Sequence, residues 1–201
     1  MARKSKIKAQ GIIGACFYFK DSGRQNTRRT LEIAAKRAEE LHVRNIVVAT
    51  TSGETGLEAV RLFPSKNLVI VTHSTGFLRP DFQELKPGLR KKLEKTGAKI
   101  LISQHAFGGV GRAVRKKLGT YELEEIVAYT LRIFGEGAKV AVEIAVMAAD
   151  AGLISTMEPC ISIGGTSRGA DTALLLWPAH AQNFFDLRIM EILAKPRLAQ
   201  V

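Results

Sequence analysis

Four polar loops, each following an apolar, β-favouring run, carry the side chains of this chain best suited to chemistry: SGRQNT at 22–27, TTSGET at 50–55, HSTGF at 73–77 and Ser103-Gln104-His105. In the second, the run NIVVA empties into Thr50, Thr51, Ser52, Gly53 and Thr55, and a helical pattern begins at once. A strand, a hydroxyl-rich turn and a helix start together suit an anion. The first N–H groups of a helix lack intrahelical acceptors, and the helix dipole is positive at that end. The same residues also read as a plain helix cap, with Thr51 as N-cap and Glu54 as its capping-box partner. Spacing alone leaves both open.

His73 and His105 each follow a strand-like run directly, where an imidazole can shuttle a proton to a ligand or simply order a loop. Two isolated histidines supply no third ligand at a recognisable offset, so no metal site is expected. Glu143 lies among Val140, Ala141, Val142, Ile144 and Val146. Buried there, it would have a raised pKa and could act as a general acid. The expectation adopted is an exposed turn that pairs Glu143 with Lys139 at i, i+4. The segment GGVGRAVRKKLG at 108–119 reads either as a lid carrying Arg112 onto an anion or as a solvated basic loop, and its glycines do not complete a GxGxxG pattern.

Residues 12–19, 45–50, 68–72 and 99–102 read as strands separated by amphipathic helices, an alternation that predicts an α/β layer with a parallel sheet. The first helix has Asn26 or Thr27 as its cap and Leu31, Ala34, Ala35, Ala38 and Leu41 on one face. The second stops at Pro64, and the third spans about 84–96. Two more are expected at 121–134 and 137–151, stopped by Gly135 and Gly152, the latter helix apolar except for a stripe of Lys139, Glu143 and Asp150. A strand at 160–164 and another at 172–177, with no room for a crossover helix between them, must be antiparallel. Residues 183–193 read as a last amphipathic helix, too apolar for one buried face, which predicts a homo-oligomer. Ligands of an open parallel sheet collect outside the carboxyl ends of its strands, the edge that the four polar loops share.

The chain has 201 residues, 46% hydrophobic and 24% charged, enough for one domain at 11–201 behind a basic tail at 1–10. No apolar run approaches the ~18 residues a membrane span needs. Cys16 and Cys160 lack metal-ligand or CxxC spacing and read as buried thiols in a reducing compartment, with the cytoplasm as the expected location. The formal charge of +11 attracts phosphorylated molecules, anionic lipid or nucleic acid. Its scattered layout, without interleaved aromatics, argues against nucleic acid.

VVATTSGETGLEAVRLFP resembles the phosphate loop of the pyruvate kinase C-terminal domain, which holds a phosphate of an allosteric sugar bisphosphate, and GGTSRGADTALLLWP resembles that domain's last hairpin. GRQNT, HSTGF, VEIAVMAADAG and PAHAQNFFD extend the likeness to a mostly archaeal group of stand-alone proteins with that fold, over nearly all of 11–196. The resemblance implies a three-layer α/β/α sandwich whose mostly parallel sheet has an antiparallel final strand. It also implies a ligand, since some of those proteins hold flavin mononucleotide (FMN). On this basis the phosphate falls to Thr50, Thr51, Ser52, Gly53 and Thr55, with Gly164, Gly165, Thr166, Arg168 and Gly169 closing over it. His73, Thr75, Gly76 and Phe77 face the ring system, and Asn26 and Thr27 of GRQNT complete the set. Glu54 departs from the family's basic or neutral residue, and a carboxylate beside a phosphate must turn away. This favours FMN over a sugar bisphosphate. A non-catalytic sensor of a phosphorylated metabolite is the alternative.

Overall fold

The computed structural model describes residue 11 and residues 13–197; the tail expected at 1–10 lies outside the described residues. Among the described residues seven strands form one sheet: β1 (Phe17–Phe19), β2 (Asn45–Ala49), β3 (Asn67–His73), β4 (Lys99–Ser103), β5 (Cys160–Gly164), β6 (Thr172–Trp177) and β7 (Arg188–Pro196), in the order β1-β7-β6-β5-β2-β3-β4. All pairings are parallel except those of β6 with β5 and β7, so the antiparallel strand is the one expected at 172–177.

Among the described residues there are six α-helices: α1 (Thr27–Glu40), α2 (Glu54–Leu62), α3 (Pro87–Glu94), α4 (Val110–Leu118), α5 (Leu123–Arg132) and α6 (Glu136–Asp150). Alternation along the strands sorts the core into two halves. Ile46, Val48, Ile70 and Ile161 pack against Leu31, Ala34 and Ala38 of α1, Ala59 of α2 and Leu93 of α3. Val47, Val69, Val71 and Leu174 pack against Ala141, Val142 and Ala145 of α6 and Ala128 of α5. With both faces covered, the central strands read as continuous apolar runs. No helix among the described residues is long and apolar enough to cross a membrane.

Three expectations are corrected. Residues 183–193 form no α-helix: a 3-10 helix at Ala181–Asp186 leads into β7. The apolar spacing there fits either period, and the open edge of β6 decides, because its backbone groups need a partner strand. The first strand is only Phe17–Phe19, with the part-exposed Cys16 preceding it. The 108–119 segment is not a solvated loop but contains α4, ended by Gly119 at φ 73° and held to α5 by Arg115 Nε donating to Glu125 Oε1 at 2.8 Å.

Candidate functional site

The chain runs from β2 to β3 on one side, while β5 lies on the other side of β2. The carboxyl ends of β2 and β5 therefore flank a topological switch point, where open α/β sheets form their crevice. The loops there are 50–53 after β2 and 165–171 after β5. They border a cavity of ≈ 700 Å³, within the roughly 300–1,000 Å³ usual for small-molecule sites.

At one end, Thr50, Thr51, Ser52 and Thr55 line the wall together with Arg24 and Arg168. Gly53, at φ 102°, occupies the N-cap position of α2, and no side chain caps the helix there. The expected capping box of Thr51 and Glu54 is absent. Instead Thr50 Oγ1 accepts the Gly53 N–H at 3.1 Å, which closes the turn from inside. The hydroxyls of Thr51, Ser52 and Thr55 and the N–H groups of Thr51 and Ser52 have no hydrogen-bond partner among the described residues. Glu54 does not turn away but lines the cavity with its charge paired: Arg24 Nη2 lies 2.9 Å and Lys86 Nζ 3.1 Å from its oxygens. The Lys86 hydrogen bond and then the Arg24 charge hold the Glu54 carboxyl below its usual range.

Gly53 itself does not face the cavity. A Cβ there would meet Leu85 Cδ1 at 2.8 Å and Leu89 Cβ at 2.9 Å, so the glycine lets α2 and α3 close together. Asn26, Thr75, Gly76, Gly164 and Thr166 also lie off the cavity wall. Asn26 Nδ2 donates to Asp21 O at 2.7 Å. Gly164 presses against Gly137 O of α6, 2.4 Å from where its Cβ would be. Thr75 and Gly76 form the turn that brings Phe77 back over His73, and Thr166 donates its N–H to Asp171 at 3.1 Å. Of the other expected residues, Thr27, Gly165 and Gly169 join the wall with the 50–55 donors, Arg168, His73 and Phe77. Thr27 Oγ1 donates to Arg24 O at 2.7 Å and accepts the Ala170 N–H at 3.0 Å, linking α1 to the 165–171 loop.

The far end is aromatic and titratable. The rings of His73, Phe77 and His105 cluster with centroids 4.2, 4.8 and 5.1 Å apart, and Arg112 from α4 lies 4.9 Å from the Phe77 ring. His73 Nδ1 is 2.7 Å from Glu84 Oε2. Burial pushes the His105 pKa down to about 4, with Glu143 opposing. The Lys139–Glu143 pair is present but buried, not on an exposed turn. Its 2.5 Å contact lies on the cavity wall, and Glu143 Oε1 also accepts the Phe107 N–H at 2.9 Å.

Arg24, Glu84, Lys86 and Asp171 were not legible as site residues in the sequence. Glu84 lies 11 residues beyond His73 in irregular chain, where no period relates them. Asp171 sat in view within GGTSRGAD, yet its partner Gly23 is 148 residues away.

The fold is an α/β/α sandwich with a crevice at its switch point. The chain belongs to the family described as "Pyruvate kinase, alpha/beta domain", whose sequence profile matches residues 28–176. Among solved structures it is similar to a pyruvate kinase from Cryptosporidium parvum, at 13% identity over 74% of this chain and 22% of that one, with a TM-score of 0.40. The C. parvum pyruvate kinase in complex with ADP matches at 14% identity over 85% of this chain and 24% of that one, with a TM-score of 0.38. The chain spans less than a quarter of those enzymes' length.

Proposed function

We propose that the protein binds FMN or a similar phosphorylated small molecule in this cavity, with the phosphate on the 50–55 loop. The observation that carries this reading is the unused donor set of Thr51, Ser52 and Thr55, on a wall shared with Arg168, which has no carboxylate partner among the described residues. Hydroxyls, free backbone N–H groups and a guanidinium are the donors that phosphate oxygens accept. Glu54 does not oppose an anion, because Arg24 and Lys86 neutralise it. The residues suit FMN at both ends: the loop takes the phosphate, and His73 and Phe77 offer a ring surface. FMN, when bound, supplies hydride and single-electron transfer; this chain fixes the phosphate, stacks the ring and limits water. The likeness to the mostly archaeal stand-alone group supports the same reading, and the buried free thiol of Cys160 accords with a cytoplasmic location.

The test is the visible spectrum of the purified protein, followed by fluorescence titration with FMN and with riboflavin, which lacks the phosphate. FMN is expected to bind at least tenfold more tightly. Equal affinity for the two would remove the phosphate from the 50–55 loop.

A non-catalytic sensor is the second reading, favoured by the way the loops are tied together. Lys86 N–H donates to Ser52 O at 3.2 Å, and Asp171 accepts from Gly23 and Thr166, so a ligand on one loop bears on the others. A colourless protein that binds sugar phosphates supports it. Assembly into a homo-oligomer belongs to the proposal on new ground. The apolar surface is Leu123, Ile126 and Tyr129 of α5 with Ile133 at its C-terminal end, all exposed, rather than a terminal helix. A monomer mass by light scattering at high concentration would reject it.

A further inference from the structure

The cavity joins its phosphate end to two histidines in different electrostatic settings. Neighbouring strands place them: Ala49 of β2 pairs with Val71 of β3, and His73 of β3 pairs with Ser103 of β4. Thr51 and His73 lie at the ends of these neighbouring strands, and both line the cavity. Thr72 Oγ1 donates to Thr51 O at 3.3 Å and ties the two strand ends together. A molecule with its phosphate at Thr51 and Ser52 thus shares one cavity with His73.

Glu84 Oε2 lies 2.7 Å from Nδ1 of His73, and a carboxylate there accepts the Nδ1–H and orients the ring with Nε2 on the side away from Glu84. Gln83 Nε2 donates to His73 O at 2.9 Å and fixes the backbone there. His105, whose ring centroid is 5.1 Å from that of His73, is neutral at pH 7 because burial disfavours its charged form. Glu143 opposes that shift, while His73, Lys139 and Arg112 add to it. A neutral imidazole donates one hydrogen bond without releasing a full proton. A base beside such a donor is the pairing needed to remove a proton next to a carbonyl.

We propose that His73 and His105 form an acid–base site that moves a proton within a short phosphorylated hydroxy aldehyde or ketone. The inference rests on the phosphate placement above and names the substrate class of that same site. His73 Nε2 takes the proton from the carbon between hydroxyl and carbonyl. The C–H electron pair becomes the C=C bond of an enediolate, and the carbonyl π pair moves to its oxygen, which accepts a hydrogen bond from His105. Returning the proton to the same carbon exchanges it with solvent. Returning it to the former carbonyl carbon, with the hydroxyl proton passing between the two oxygens through His105, gives the isomer. No oxidant or reductant is consumed. His73 and His105 are catalytic residues; Glu84 is a positioning residue that acts through His73.

The experiment incubates the full chain with dihydroxyacetone phosphate in D₂O and follows loss of the exchangeable C–H signal by proton NMR. Binding of the same compound and of FMN is measured by calorimetry. Exchange is expected in the wild type, with a fall of at least ~100-fold in His73→Asn while dihydroxyacetone phosphate still binds. Glu84→Gln is expected to lower kcat with little change in KM and to convert the ¹⁵N signature of His73 from one tautomer to a mixture. If His73→Asn does not fold, Glu84→Gln decides, and an unchanged rate and tautomer there overturns the proposal. Binding of dihydroxyacetone phosphate without exchange, or binding of FMN alone, overturns the acid–base site and leaves the phosphate placement standing. Binding of neither removes both.

Discussion

Asp171 Oδ2 accepts the Gly23 N–H at 2.9 Å, joining the loop after β1 to the loop before β6 across 148 residues of sequence. The carboxylate is fully buried, and it also accepts the Thr166 N–H at 3.1 Å and the Thr172 hydroxyl at 2.9 Å. Both loops border the cavity, so this one side chain sets the spacing of its rim.

Asp171→Ala strands two backbone N–H groups and a hydroxyl. Stability is expected to fall by roughly 2–4 kcal/mol, since hydrogen bonds to a buried charge are worth more than neutral ones. Urea unfolding measures the loss. A change within experimental error would show that water replaces the carboxylate at no cost.

Arg168→Gln removes an exposed cation that forms no ion pair among the described residues. The fold is expected to be unaffected and the affinity for FMN to drop about tenfold, or ~1.4 kcal/mol. Fluorescence titration compares the two proteins, and equal dissociation constants would place the phosphate elsewhere.

Gly53→Asp is a stability mutation rather than a clean probe of the anion site. At φ 102°, with Leu85 and Leu89 under 3 Å from the new Cβ, any side chain is strained. Gly53→Ala alone is expected to cost at least ~1–2 kcal/mol. Thermal melting checks this; a wild-type midpoint would mean that α3 moves away freely.

Lys139→Met and Glu143→Gln each break a buried ion pair, leaving one group without its partner, and each is expected to cost roughly 3–5 kcal/mol. The double variant should cost less than the sum of the two. Additive losses in a double-mutant cycle would show that the two side chains act independently.

His105 gives stability a pH dependence of definite sign. Its pKa falls from 6.5 to about 4 on folding, so between those values the unfolded chain binds a proton that the native chain does not. Stability is therefore full above 6.5 and declines as pH falls toward about 4, by at most ~3 kcal/mol. His105→Gln should flatten that part of the profile in unfolding experiments. Identical slopes in the two proteins would assign the acid lability to other groups.

Local chemistry settled a large part of this protein. The runs at 45–50, 68–72 and 99–102 are bounded by turn residues and built from β-branched residues, and they form β2, β3 and β4 within a residue or two of their expected ends. The short link between β5 and β6 could only be antiparallel, and it is. The Thr/Ser/Gly loop and both histidines sit on the carboxyl edge because connectivity and strand direction alone put them there. Tertiary structure decided whatever depended on a partner distant in sequence. Residues 188–196 became a strand because β6 had an open edge, not because their pattern excluded a helix. The Lys139–Glu143 stripe turned inward because α6 is covered by the sheet, α5 and the cavity wall, an environment no helical wheel records. Gly53 serves the packing of α2 against α3, and Glu54 finds Arg24 and Lys86 instead of Thr51. Spacing along a chain fixes periodicity and handedness, which are local. Burial, charge pairing and the completion of a sheet edge depend on which surfaces meet, and only the folded arrangement supplies that.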